Sequence, residues 1–367
     1  MAALGEVLEI ARRESVDAVL IAGDIFDQAV PPPEAERIVF RFLTELVGEG
    51  IPAVIIAGNH DHPRRWAAYA PLLSRLGIHV VGEPVSAEEG GVIELASRDG
   101  SETAVIAALP WVSERKVRDF EDLMSEGKHI EQYAEGVGAM IRHLCGAFRK
   151  DTANILLAHV LIDGVSVGPE SGERPLHMGD TYALKLQRLP DTIQYAALGH
   201  VHKPQEFRLA NAHYCGSLLQ CDFGEAGQKK RVNLVEVSPG GKAKVEAVPL
   251  TSIRQLRNLG THKAGLTLEE IRAQADGAGD EYLKVFVKVD RPLPGLAEQI
   301  RELLPNAVDI VVERTDEPER EETAGLDEMS PAELFTTYYR DQHTSEPAPE
   351  LMALFNRLYE EVTGAAD

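Results

Sequence analysis

The chain has 367 residues, 44% of them hydrophobic and 26% charged, an ordinary globular composition with room for a large core and two or three domains. Its net charge of −22 argues against a protein that wraps nucleic acid with a basic face of its own. The three cysteines, Cys145, Cys215 and Cys221, are few, odd in number and not in CxxC spacing, which argues against a disulfide framework or a zinc knuckle and fits reduced, buried thiols. No apolar run approaches the ~20 residues needed to span a bilayer. The opening residues carry acids in a helical pattern, unlike a signal peptide, so a cytoplasmic protein is expected.

In chain order, residues 3–14 place Leu4, Val7, Leu8 and Ile10 near one helical face. VDAVLIAGD (16–24) is a short, nearly continuous apolar run ending in Gly-Asp, a buried strand followed by a loop. After three prolines (31–33) a second helix runs from about Glu34 to Val47, and IPAVIIAGNHD (51–61) repeats the strand-then-loop pattern. These βα units predict an α/β fold with a sheet covered on both faces. Further strands are expected at 103–108, 154–158 and 194–198, with a helix near 129–148. From 204 to about 248 short strands follow one another, which predicts a second sheet of antiparallel hairpins. The first domain is read as 1–250. A smaller α/β unit occupies 251–315, with strands at 283–289 and 307–313 around a helix at 294–304. An acidic linker follows at 316–329, then a helical tail at 330–367.

Four predicted strands end in polar motifs: GDIFD (23–27), GNHD (58–61), His159 of LLAH, and GHVH (199–202). A lone GNHD could be a surface turn, and Gly-Asp after a strand is common. The four in this order carry the signal. Ligands bind at the carboxyl ends of strands in open α/β sheets. Asp24, Asn59, His60, His159, His200 and His202 could therefore surround one cleft. Imidazole and carboxylate together suit divalent transition metals, and a carboxylate such as Asp24 can bridge two ions that hold a phosphate between them. A glycine before each key residue permits close backbone approach. His62, His79, His143, His177 and His213 lack such context and read as structural.

This order of motifs resembles the calcineurin-like metallophosphoesterases. The resemblance implies a four-layer α/β/β/α sandwich, a small α/β capping domain and C-terminal helices. It further implies two divalent ions, manganese above all. Asp24 would bridge them, Asn59, His159 and His200 would hold the second ion, and His202 the first. His60 would be the general acid for the leaving oxygen and Asp61 would orient it, with Asp27 in a supporting place. Within the superfamily, GERPLHMGDTYAL (172–184), YAALGHVHKPQ (195–205), YCGSLLQCDFGE (214–225) and SPAELFTTYYRDQ (330–342) are similar to the SbcD family of nuclease subunits. That family implies a cytoplasmic, nucleoid-associated enzyme of DNA repair, recombination and replication. It would act as a 3′-to-5′ exonuclease and as an endonuclease on single strands or hairpins. Its partners would be double- and single-stranded DNA, a second copy of itself and an SbcC-type ATPase with a coiled coil.

One departure stands out. The family opens with a strand ending in Asp-x-His, which supplies two ligands to the first ion, and no such motif precedes GDIFD here. A chain beginning at Met1 is therefore expected to hold the first ion poorly and to show weak nuclease activity. The alternatives are a non-catalytic scaffold and a small-molecule phosphoesterase on the same fold. In the tail, Leu334, Phe335 and Tyr338, then Leu351, Leu354, Phe355 and Leu358, recur at helical spacing. Through the resemblance they are expected to dock on the partner's coiled coil. In the capping unit, Arg254, Arg257 and Lys263 are the basic residues considered for DNA.

Overall fold

A computed structural model describes residues 2–113, 116–117, 133–166, 183–262, 264–275, 277, 279–291, 293–314, 331–343 and 346–364. Most of the 172–184 segment, His177, Lys263 and the linker at 316–329 lie outside them. The chain divides into two compact units, Met1–Val287 with Gly295–Val311, and Lys288–Pro294 with Val312–Asp367.

The first unit starts with helix α1 (Ala2–Arg13), strand β1 (Val19–Ile21), helix α2 (Pro33–Gly48), strand β2 (Ala53–Ile56), helix α3 (Pro63–Ser74) and strand β3 (Ile78–Val81). The triple proline ends as a helix start: Pro33 occupies the first turn of α2, where its missing N–H costs nothing. The three strands pair in parallel in the order β1-β2-β3. A second sheet holds six strands: β4 (Val92–Ala96), β5 (Thr103–Leu109), β6 (Ala153–His159), β7 (Tyr195–Gly199), β8 (Gln205–Phe207) and β9 (Ala212–Tyr214). Their spatial order is β4-β5-β6-β7-β9-β8. Helix α4 (Tyr133–Cys145) covers its outer face.

Strand periodicity builds the layers. On β2, Ala53 and Ile55 pack under α1, α2 and α3, while Val54 and Ile56 face the second sheet. On β6, Leu156 and Ala158 face α4, while Ile155 and Leu157 meet Val54 and Ile56. Successive side chains alternate faces, so a continuous apolar run such as AVII is buried on both sides. The result is the expected α/β/β/α sandwich. The stretch 204–248 departs from its expectation of a separate hairpin sheet. β9 pairs in parallel with β7, so β8 and β9 extend the six-stranded sheet. Only β10 (Arg231–Glu236) and β11 (Lys244–Pro249) form a separate hairpin. Val235 and Val245 of that hairpin join the apolar layer between the sheets.

Beyond residue 250, strands β12 (Leu256–Leu259), β13 (Tyr282–Val289) and β14 (Ala307–Arg314) form a three-stranded sheet, with helices α5 (Leu268–Ala275) and α6 (Leu296–Leu303). Arg254 and Arg257 are engaged locally: the first lies 3.7 Å over the Tyr282 ring, the second 3.3 Å from Glu281. In the second unit, α7 (Pro331–His343) and α8 (Pro349–Gly364) stack Phe335 on Phe355 with centroids 4.3 Å apart. No helix among the described residues is long and apolar enough to cross a membrane. The cysteines there are free thiols. Cys145 is buried as expected, but Cys221 is exposed because it lies on a surface turn.

Glu6 of α1 pins the chain where the hairpin ends. Its two oxygens accept from the Thr251 and Ser252 amides and both hydroxyls, at 2.7–2.9 Å. Burial works to raise its carboxyl, but the bonds from Ser252 and Thr251 outweigh that and hold it at about 2. The ordinary value is near 4.5, so this contribution is present above about pH 4.5 and fades as pH falls towards 2. Glu6→Gln is expected to cost about 1 kcal/mol at neutral pH. Denaturant unfolding of both proteins across pH 2.5–7 should show the gap closing in acid; a gap that persists there would contradict the assignment.

Candidate metal centre

Strands β1, β2, β6 and β7 run parallel to their sheet neighbours, so their carboxyl ends meet on one edge of the sandwich. Close approach there needs glycine. A methyl on Gly23 would strike the His159 ring, one on Gly58 the Asp24 carboxylate, and one on Gly199 the Ala22 carbonyl. The residues that follow Gly23 and Gly199, Asp24 and His200, have φ of +50° and +100°. Non-glycine residues at positive φ carry strain, held here by the surrounding contacts.

His159 is fully buried at the end of β6, and its Nδ1 lies 2.6 Å from the Ala22 carbonyl of the other sheet. A carbonyl only accepts, so Nδ1 carries the hydrogen and Nε2 is the nitrogen turned to the centre. Nε2 faces Asn59 Oδ1 at 3.1 Å and Asp24 Oδ2 at 3.2 Å. Asn59 Oδ1 also lies 3.0 Å from His200 Nδ1. Potential ligand atoms of four side chains therefore converge on one point. The ligand atoms of Asp24, His159 and His200 all lie within 4.8 Å of one another. Burial works to raise the Asp24 carboxyl, but His159 and the His60 amide hold it at about 2. Burial first, then His159, pushes the His200 imidazole down to about 3, so it is neutral near pH 7. A carboxylate, an amide oxygen and two imidazoles form a donor set that fits a divalent transition metal.

His60 sits beside this group. Its amide donates to Asp24 Oδ1 at 2.9 Å, and its ring Nδ1 donates to the Asp27 carbonyl at 2.8 Å. The orienting group for this ring is therefore the Asp27 backbone, and the expectation for Asp61 needs correction. Asp61 accepts from the amides of Gly58, Ile25 and Phe26 at 2.8–3.2 Å, so it ties the two loops together. Those bonds leave both its oxygens facing backbone. Burial raises the Asp61 carboxyl, and the Asp24 charge adds to the rise, against these amides. Phe26, stacked 5.8 Å from buried Trp66, anchors the same loop.

His202 stands in a second group with Cys221 and Glu225, again within 4.8 Å. Its Nδ1 donates to Glu225 Oε1 at 2.8 Å, and Lys230 donates to Glu225 Oε2 at 2.6 Å. Glu225 and Lys230 were not singled out from sequence, nor was Trp111, whose ring stacks on His200 with centroids 5.5 Å apart. The only available signal was position: Trp111 lies just past strand β5, and Glu225 closes the family-like segment 214–225.

This edge, with metal-fitting donors on four strand ends, defines a phosphoesterase-type centre, and comparisons with known proteins agree. A calcineurin-like phosphoesterase family model matches residues 1–204. A second model, described as the Type 5 capsule protein repressor C-terminal domain, matches residues 249–343. The SbcD component of the nuclease SbcCD from Bacillus subtilis (strain 168) is 31% identical over 364 residues, 97% of this chain and 90% of that protein. A crystal structure of a dimetal phosphatase from Danio rerio is similar over 68% of this chain and 88% of its own, at 12% identity and a TM-score of 0.33. The chain belongs to the calcineurin-like phosphoesterases and, within them, to the SbcD family of nuclease subunits. It is a metal-dependent hydrolase of phosphodiester bonds.

The geometry carries two expectations. Gly199→Ala should destabilise the protein by about 2–4 kcal/mol, because backbone cannot yield to the added methyl; unchanged unfolding would show that the strand ends are not tightly apposed. His159→Ala should weaken manganese binding at least about tenfold in calorimetric titration, and equal affinity would remove His159 from the centre.

Proposed function

We propose that this chain hydrolyses DNA phosphodiester bonds as the nuclease subunit of an SbcC–SbcD-type complex. It would act as a 3′-to-5′ exonuclease and as an endonuclease on single strands or hairpins. The observation that carries the chemistry is the convergence of Asp24, Asn59, His159 and His200 on one point. The near full-length likeness to a nuclease subunit supports DNA as the substrate. Asn59, His159 and His200 would hold one divalent ion, His202 the other, and Asp24 both. Manganese suits these nitrogen and oxygen donors. Bound ions supply Lewis acidity and charge neutralisation at the scissile phosphate. His60, with Nδ1 tied to the Asp27 carbonyl, has Nε2 left to deliver a proton to the leaving alkoxide. Asp61 keeps the loops of both motifs in place beneath it.

In this reading residues 1–250 form the nuclease domain, 251–315 the capping domain, 316–329 the linker and 330–367 the partner-binding tail. The protein works in the cytoplasm on the nucleoid, as a homodimer, in DNA repair. The tail docks on the coiled coil of an SbcC-type ATPase. Phe335 and Phe355 hold α7 and α8 together, and Leu351 is half-buried. Leu334, Tyr338, Leu354 and Leu358 are exposed and form the apolar anchors.

Activity with manganese on plasmid or hairpin DNA, set against a chromogenic phosphomonoester, tests the substrate. DNA should be the better substrate, and His60→Ala should lower the rate about 10²–10⁴-fold with metal binding retained. Preference for the monoester would favour a small-molecule phosphoesterase, and stoichiometric partner binding without hydrolysis a scaffold. For the tail, the double variant Leu354→Asp, Leu358→Asp should abolish capture of a coiled-coil fragment of the ATPase while the helices persist by circular dichroism. Undiminished capture would move the docking surface elsewhere.

A further inference from the structure

Behind His202 lies a buried charged pair that the proposed chemistry does not use. Glu225 and Lys230 are both essentially inaccessible to solvent. A buried ion pair is a poor stabiliser, since desolvation of two charges offsets their attraction. Its presence calls for another reason, and its bonds converge on one residue. Glu225 Oε1 accepts from the His202 ring at 2.8 Å. Lys230 Nζ donates to the His202 backbone carbonyl at 3.1 Å, to Glu225 Oε2 at 2.6 Å, to Ser217 Oγ at 2.8 Å and to Gln228 Oε1 at 3.1 Å. The Ser217 amide also donates to the His202 carbonyl, at 3.1 Å. Ring and backbone of His202 are thus gripped from the same side.

The same cluster has the composition of a thiolate metal site, with Cys221 in reach of His202 and Glu225. Its bonding argues otherwise. Both Glu225 oxygens are occupied, Oε2 by an ammonium and by the Cys221 amide at 3.2 Å. A cation placed there would face Lys230.

Resting on the reading of His202 as a metal ligand, we propose that Glu225 is a positioning residue for His202, held in place by Lys230. The carboxylate takes the Nδ1 hydrogen, so Nε2 is the nitrogen that presents a lone pair to the metal centre. Lys230 holds Glu225 aimed at the ring, and fixes the His202 backbone. The segment that carries Glu225 is itself tied to strand β12: Gln220 accepts from the Leu256 amide, and Asn258 donates to the Phe223 carbonyl at 3.2 Å. Orientation of His202 is therefore built into the contact between the sandwich and the three-stranded sheet that contains β12.

Manganese titration of the full chain, by calorimetry and electron paramagnetic resonance, tests this. The variants are His202→Ala, Glu225→Gln, and the double Glu225→Leu, Lys230→Met, which replaces the pair with apolar groups of similar size. The double variant should unfold, metal-free, near the wild-type temperature, yet bind manganese at the His202 site about 10–100-fold more weakly. Nitrogen NMR of the histidines should show the His202 ring losing its fixed Nδ1–H tautomer. The isosteric Glu225→Gln, which keeps an acceptor but loses the charge, should weaken binding by a smaller factor. If His202→Ala weakens binding while both Glu225 variants bind as wild type, the positioning role is overturned and the ligand reading stands. If His202→Ala has no effect, the ligand reading fails and the positioning role with it. If the double variant fails to fold, Glu225→Gln decides: wild-type affinity and an unchanged tautomer would overturn the proposal.

Discussion

The bond from the His159 ring to the Ala22 carbonyl is the contact on which the centre depends. It crosses from the six-stranded sheet to the three-stranded one that opens the chain, and the His159 side chain is shut off from solvent. It fixes which nitrogen carries the hydrogen and therefore where the lone pair points. It also requires the two sheets to approach so closely that Gly23 and Gly199 tolerate no side chain. The strained backbone at Asp24 and His200 belongs to the same constraint. The apolar layer between the sheets, Val54 and Ile56 against Ile155 and Leu157, is what holds that approach. Core packing and site geometry are thus one problem solved once.

Much of this was legible in the residues. The buried strands are continuous apolar runs, and a run that ends in Asp24, Asn59, His159 or His200 has no packing reason to do so. Alternation within those runs also fixes the layers, because adjacent residues of β2 and β6 must face opposite ways. Other features were not legible, for reasons of distance along the chain. Lys230 belongs to a Lys-Lys pair that reads as surface charge, and only the fold buries it against Glu225. Trp111 stacks on His200, far along the chain, which no local pattern encodes. Strands β8 and β9 look like a hairpin by themselves. Their place beside β7 is set by tertiary pairing. Asp61 adjoins His60 in sequence, yet its carboxylate turns to three backbone amides, since an unpaired buried amide would cost more than a lost side-chain contact.

The acidity of the chain takes on a clearer meaning in this setting. Arg254 and Arg257 are engaged by Tyr282 and Glu281, and the net charge is strongly negative. In the proposed reading, attraction for a phosphodiester comes from the metal centre and from a partner. That requirement agrees with a tail whose two helices are joined through Phe335 and Phe355 while Leu334, Tyr338, Leu354 and Leu358 stay exposed. In that reading catalysis and assembly lie in different parts of the chain, the first in strand ends and the second in amphipathic helices.

The central claim is that the oxygen and nitrogen atoms gathered by the His159 bond hold a divalent cation. Anomalous diffraction from crystals soaked in manganese tests it most directly. The account expects a strong peak within about 2.0–2.3 Å of Asp24, Asn59, His159 Nε2 and His200, with the His159 Nδ1 bond to Ala22 unchanged. No peak at that point, or a His159 ring turned away from the Ala22 carbonyl, would contradict it.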